Sequence, residues 1–294
     1  MLDYKREYER WLASDALNAD EKAELQAIAG DEKEIESRFY GPLEFGTAGL
    51  RGTMKVGLHQ MNVHVIRWAT QGFADVIAAE GDEAKQKGVA ICMDCRVNSM
   101  AFARAAAEVC AANGIRVRIF ESLRPTPELS FAVRYYGCQA GINVTASHNP
   151  KEYNGYKVYD NTGCQVLDEV ANEITAQIEA IDPFDVAPRG YDELVAEGLI
   201  CPVTDELIAS YQDTVIGESL GEADGITVVY TPLNGAGYAT VPTVLKRVGV
   251  SDLHIVKEQA LPNGNFTTCP YPNPEKIAAL QLALQLAEQT HADV

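Results

Sequence analysis

Apolar positions follow two periods along this chain, and they change places often. Between residues 3 and 38, Tyr4, Tyr8, Trp11 and Leu12 recur at helical spacing among many charges, which predicts short polar helices. Asn18-Ala19-Asp20-Glu21 reads as a second helix start, and Gly41-Pro42 breaks the pattern. A longer helix is predicted from Val63 to Ala79, with Val63, Ile66, Ala69, Thr70, Phe73 and Ile77 on one face. From there strand and helix alternate. Val89–Met93, Ile115–Phe120 and Ala140–Thr145 read as strands, separated by helices from Ser99 to about Asn113 and from Pro127 to Tyr136. Tyr156–Tyr159 and a helix from Asp168 to Ile181 close this unit.

The polar stretch from Asp182-Pro183 to Arg189-Gly190 sets a boundary. A second alternation follows it: a helix near Asp205–Ile216, the strand Ile226–Tyr230, a helix near Ala239–Val248, the strand Leu253–Val256 and a helix from Pro274 to Glu288. The expectation is an α/β protein of two consecutive layered α/β domains with an N-terminal helical arm. Residues 1–188 form the first domain, arm 1–40 included, and residues 189–294 the second. His291–Val294 looks like the entry to a further strand, which suggests a second domain cut short.

The length, 294 residues, fits two domains at about 150 residues each. Apolar residues at 47% and charged residues at 22% describe a folded chain and not a disordered one. Net charge narrows function further. At −18 the chain has no general electrostatic attraction for nucleic acid. That charge is uneven: residues 41–150 carry 11 Lys/Arg against 9 Asp/Glu, a local excess of cations suited to a small anion. Seven scattered cysteines, a charged Met1–Glu7 start and no run of ~20 apolar residues point to a cytoplasmic chain with reduced thiols and no membrane contact.

Chemistry concentrates in Thr145-Ala146-Ser147-His148-Asn149-Pro150, followed by Tyr153-Asn154-Gly155-Tyr156-Lys157. An apolar strand delivers Ser147 and His148 to its carboxyl end, where α/β sheets bind ligands. Lys157 returns toward them on the next strand, and a hydroxyl beside a cation suits phosphoryl exchange. A serine hydrolase would need glycines flanking the nucleophile, and Ala146 and His148 stand there instead. Neighbours in sequence, Ser147 and His148 are also not expected to hydrogen-bond as nucleophile and base. A plain polar turn capped by Ser147 and Asn149 is the remaining alternative on residue types alone. Glu44–Thr53 adds glycines at 46, 49 and 52 around Arg51, lacking the Lys-Ser/Thr pair of a P-loop. Asp94-Cys95-Arg96-Val97-Asn98-Ser99 puts a cation at a helix start, another anion site.

Together these segments resemble the α-D-phosphohexomutases, most closely the long phosphoglucomutase/phosphomannomutase subgroup related to phosphopentomutases. Thr145–Pro150 with Tyr153–Lys157 is similar to that family's phosphoserine loop, and Phe45–Gly52 to its N-terminal active-site loop. Thr231–Gly237 and Tyr271–Glu275 resemble motifs of its second domain. The resemblance implies an enzyme that interconverts hexose 1- and 6-phosphates through a phosphoserine and a bisphosphosugar. It implies Ser147, His148 and Lys157 as catalytic groups and Arg51, Arg96, Thr47 and Asn149 as phosphate contacts. Mg²⁺ would bind through the phosphate of Ser147, with a glucose 1,6-bisphosphate-type activator, and a monomer or weak dimer would act on small phosphosugars. The family's Asp-x-Asp-x-Asp-Arg metal loop has no match here, so the chain is expected to be the N-terminal half of such an enzyme, inactive alone. The alternative is a non-catalytic two-domain fragment that binds phosphosugar or partner chains. Cys92-Met93-Asp94-Cys95 is a lone C-x-x-C, His59, His64, His254 and His291 read as surface or packed histidines, and Trp11 and Trp68 as core.

Overall fold

A computed structural model describes residues 3–46, 49–187, 189–269 and 271–294. Three short helices form the arm: α1 (Tyr4–Ala13), α2 (Ala19–Ala27) and α3 (Glu32–Phe39). Each starts where its sequence supplies an acceptor. Asp3, Asn18 and Asp31 cap the first turns, and Asn18 with Glu21 completes a reciprocal capping box. The arm is held by an aromatic seam in which Trp11, fully buried, meets Phe39, His64 and Phe184. The indole N–H of Trp11 donates to Glu7 at 3.0 Å, so the buried ring leaves no polar atom unpaired.

The first unit then runs β1 (Leu50–Thr53), α4 (Val63–Ala79), α5 (Asp82–Lys87), β2 (Val89–Met93), α6 (Ser99–Ala112), β3 (Val117–Ile119), α7 (Thr126–Tyr136), β4 (Ala140–Val144), β5 (Tyr153–Tyr159), α8 (Asp168–Glu179), α9 (Tyr191–Ala196) and β6 (Ile200–Pro202). Its six strands lie in the order β1-β5-β4-β2-β3-β6. β4, β2, β3 and β6 are parallel, while β5 runs antiparallel to both β4 and β1. Every residue of β2 and β4 is buried, as expected for central parallel strands covered on both faces. Helices α4, α6 and α8 cover one face, and α7 covers the other.

The second unit contains α10 (Asp205–Gly217), β7 (Thr227–Tyr230), α11 (Val241–Arg247), β8 (Asp252–Ile255), α12 (Lys257–Ala260) and α13 (Gln281–Thr290). β7 and β8 pair in parallel, and the backbone of Val294 accepts from Val229 at 2.8 Å along the other edge of β7.

Two expected boundaries move furthest. The first sheet extends past the boundary placed after residue 188: β6 pairs with β3, Val117 opposite Ile200, and α9 packs on α6. Residues 191–202 thus belong to the first unit, since β6 is a three-residue edge strand of its sheet, too short to read by period. The last helix begins at Gln281, not Pro274, because Asn273 accepts from the backbone of Glu275 and holds a turn there.

Candidate active site

Two carboxyl ends meet at the centre of the sheet. β2 ends at Asp94 and β4 at Thr145-Ala146-Ser147, side by side through the Cys92–Asn143 and Met93–Val144 register. Asp94 organises the junction. Its Oδ1 accepts from the backbone N–H of Arg96 (2.9 Å) and the hydroxyl of Ser99 (2.7 Å), and its Oδ2 accepts from Thr145 Oγ1 at 2.6 Å. Thr145 Oγ1 in turn accepts from the backbone N–H of Ser147 at 2.9 Å. This chain of bonds fixes where the serine leaves the strand.

Ser147 has φ +58°, a left-handed backbone rare for a residue with a side chain. It is exposed, and its Oγ lies 3.2 Å from Nδ1 of His148. The expectation that sequence neighbours could not meet therefore fails, because the left-handed turn swings the two side chains to the same side.

Arg96 has a different occupation from the phosphate contact expected of it. The residue is 3% exposed. Its Nη1 donates to the carbonyls of Pro150 and Tyr153, both at 2.9 Å, and its Nη2 to those of Ser147 (3.0 Å) and Asn149 (2.6 Å). Four carbonyl oxygens of the serine loop converge on one guanidinium, so Arg96 holds the loop and presents no fork to a ligand. On its other side Phe266, from the second unit, stacks with the guanidinium carbon 5.3 Å from the ring centre. Gly264 lies so close that a Cβ there would come within 2.6 Å of the Cys95 carbonyl.

Arg51 and Lys157 come from the neighbouring antiparallel strands. Arg51 sits opposite Gly155 in the β1–β5 pair, and Lys157 opposite Asn143 in the β4–β5 pair. The strands close tightly there: a Cβ on Gly155 would stand 2.6 Å from the carbonyl oxygen of Thr145, and one on Gly49 (φ +72°) 1.9 Å from that of Tyr156. Burial, and then the charge of Arg51, push the Lys157 ammonium below the usual lysine range. Arg51, Lys157 and Ser147 line one cavity of about 470 Å³, together with Tyr40, Glu44 and His59. Thr47, expected to contact phosphate, lies outside the described residues. The Asn149 backbone is engaged by Arg96, while the residue lines a separate cavity with His148, Tyr271 and Lys276.

A further cavity, of about 450 Å³, lies between the two units. Asp94, Arg124, Asn143, Thr145, Ser147 and His148 form its first-unit wall, and the Thr231–Gly237 loop faces them. Two buried polar atoms of that wall, Arg124 Nε and Asn143 Oδ1, have no hydrogen-bond partner among the described residues, and Arg124 Nε lies 3.8 Å from the Glu128 carboxylate. Sequence reading passed over Asp94, Arg124 and Asn143 as site residues and took His59 for a surface or packed histidine. Asp94 had a visible signal, its place at a strand's carboxyl end. The others are brought in by long-range packing.

Mg²⁺ finds no cluster of carboxylate donors among the described residues. Among the described residues no three His, Cys, Asp or Glu side chains cluster to hold a metal, and both carboxylate oxygens of Asp94 already accept hydrogen bonds. Among the described residues no helix is long and apolar enough to cross a membrane.

Comparison with known proteins follows the same division. Residues 42–184 match the family model of phosphoglucomutase/phosphomannomutase alpha/beta/alpha domain I, and residues 209–294 that of domain II. The phosphoglucomutase of Staphylococcus saprophyticus is 38% identical over 267 residues, covering 90% of this chain and 48% of that protein. Human phosphopentomutase is 32% identical, covering 98% and 49%. A crystal structure from Thermus thermophilus, assigned as a phosphomannomutase, superimposes with a TM-score of 0.66 at 25% identity, over 84% of this chain and 52% of that one. The chain spans about half the length of the curated relatives it matches. With its serine loop, its glycine-lined cation wall and both of its α/β units accounted for in this way, the chain belongs to the phosphoglucomutase/phosphomannomutase family of α-D-phosphohexomutases.

Proposed function

We propose that this chain carries the phosphoryl-transferring centre of a phosphosugar mutase, with Ser147 as the carrier. The observation that bears most weight is the placing of Ser147. Its hydroxyl is exposed on a loop whose backbone is clamped at four carbonyls, beside two cations and one imidazole. Phosphoryl transfer depends on positioning and on charge stabilisation more than on covalent chemistry. Ser147 Oγ attacks a phosphorus of a bisphosphosugar, the Oγ–P bond forms, and the sugar O–P bond breaks. His148 Nδ1 takes the hydroxyl proton at 3.2 Å and returns it to the departing sugar oxygen. Arg51 and Lys157 offset the charge on the transferring oxygens. The reverse step passes the phosphoryl group from Ser147 to the free 6-hydroxyl of a hexose 1-phosphate and regenerates the bisphosphosugar, so that taking phosphate from O1 and giving it to O6 interconverts hexose 1- and 6-phosphates.

Intact-mass analysis after incubation with glucose 1,6-bisphosphate tests this. One added phosphoryl group mapped to Ser147, and none in Ser147→Ala, is the expected result. Incorporation that persists in Ser147→Ala refutes the assignment. A second reading, binding of phosphosugar without transfer, is favoured by the absence of a metal donor cluster among the described residues. Saturable binding of the bisphosphate with no incorporation selects it.

A further inference from the structure

The cavity that holds Arg51 and Lys157 also has an aromatic lining. Tyr40 and His59 line it, from the end of α3 and from the loop before α4. Their rings lie 4.2 Å apart, centre to centre, inclined by 42°. His59 Nδ1 is 3.1 Å from the carbonyl oxygen of Pro42, which can only accept, so Nδ1 carries the proton. His59 Nε2 then accepts from the Tyr40 hydroxyl at 2.5 Å. Both nitrogens of the imidazole are thus engaged by the protein, which leaves His59 no free lone pair for proton transfer and makes it a strut for Tyr40.

Tyr40 is 49% exposed, a large aromatic ring fixed against solvent with its hydroxyl already tied. Fixing an exposed ring costs rotamer freedom that a merely solvated tyrosine would keep. The pre-set ring would recover that cost on binding. Leu43 and Phe45 add apolar lining to the same cavity. The cavity therefore brings two cations, the Glu44 carboxylate and an exposed aromatic ring together inside about 470 Å³, within the range of small-molecule sites. A sugar phosphate carries matching groups, with an anion at one end and a ring with apolar C–H faces at the other.

We propose that Tyr40, braced by His59, is a specificity-determining platform for the sugar ring, so that this site selects sugar phosphates over bare phosphate. The inference rests on the reading of Arg51 and Lys157 as the phosphate end. The test is equilibrium binding of two probes, glucose 1-phosphate and inorganic phosphate, to the full chain and to Tyr40→Ala, Tyr40→Phe and Arg51→Ala. Tyr40→Ala is expected to weaken glucose 1-phosphate about fivefold, the worth of one aromatic contact, and to leave phosphate within about twofold. Tyr40→Phe keeps the ring and should retain most of the preference. Equal losses for both probes in Tyr40→Ala, or no loss for glucose 1-phosphate, overturn the platform while leaving the phosphate end intact. Phosphate binding that is absent, or untouched in Arg51→Ala, overturns the phosphate end and the platform with it. Tyr40 is exposed, so thermal unfolding should be alike in the variants and serves as the folding control.

Discussion

The two α/β units bury themselves in opposite ways. In the first, the core is the sheet: β2 and β4 are wholly buried, and one continuous cluster runs from Trp11 in the arm to Ile200 in the edge strand. In the second, the strands are only partly covered and α13 buries no residue completely. Besides a few apolar side chains beside its strands, such as Val228, Val250 and Val256, its buried groups include Leu233, Asn234, Gln259, Phe266 and Cys269, in or beside the loops that face the serine. Asn234 ties those loops together, donating to the Leu261 carbonyl at 3.0 Å and accepting from Thr268 at 2.7 Å. The first unit is ordered around its own centre, the second around its contact with the first. Order in a small unit can thus come from the surface it shares with a neighbour.

The sharpest way to break this contrast is at Arg96, where the two meet. Arg96→Ala leaves four carbonyls without their donor and should cost about 3–5 kcal/mol, the range for breaking a buried charged network. Amide exchange should then accelerate across residues 147–153 and in the Phe266 loop together. Acceleration in one segment alone would uncouple the units. Next in size, Ile142→Ala in β4 should cost about 2–5 kcal/mol in denaturant unfolding, since the side chain is fully enclosed.

A smaller effect is expected at Glu128, where Thr240 of the second unit donates to a wholly buried carboxyl of α7. Burial raises its pKa, and the bond from Thr240 and the charge of Arg124 only partly oppose this. A raised folded-state pKa contributes stability at low pH that is lost as pH rises above 4.5 and through the folded value. Measured against Glu128→Gln, the wild type should therefore lose melting temperature from acid to neutral pH. A constant difference between the two would contradict this. The smallest effect belongs to Leu284→Ala in α13, 47% exposed, expected within about 0.5 kcal/mol. A cost matching that of Ile142→Ala would erase the contrast.

Much of this was legible in the chain. α4, β2, α6 and β4 announce themselves because long apolar periods and wholly apolar runs leave little choice of state. β5 begins at Tyr153, not Tyr156, since Asn154-Gly155 reads locally as a turn but is flattened into the sheet between β1 and β4. The serine loop and the Arg51 segment stand out by residue type. Arg96 misled because a cation at a helix start looks free for an anion, and the carbonyls that engage it arrive some 50 residues later. His59 gave no local signal, since its meaning comes from Tyr40 across a loop.

The left-handed backbone of Ser147 also bears on which hydroxyl can serve there. Threonine offers the same oxygen and can be phosphorylated equally well, but its branched Cβ crowds the carbonyl at φ +58°. In chemical terms the two alcohols are interchangeable; in this turn they are not. Steric room at the β-carbon, ahead of nucleophilicity, selects the primary alcohol.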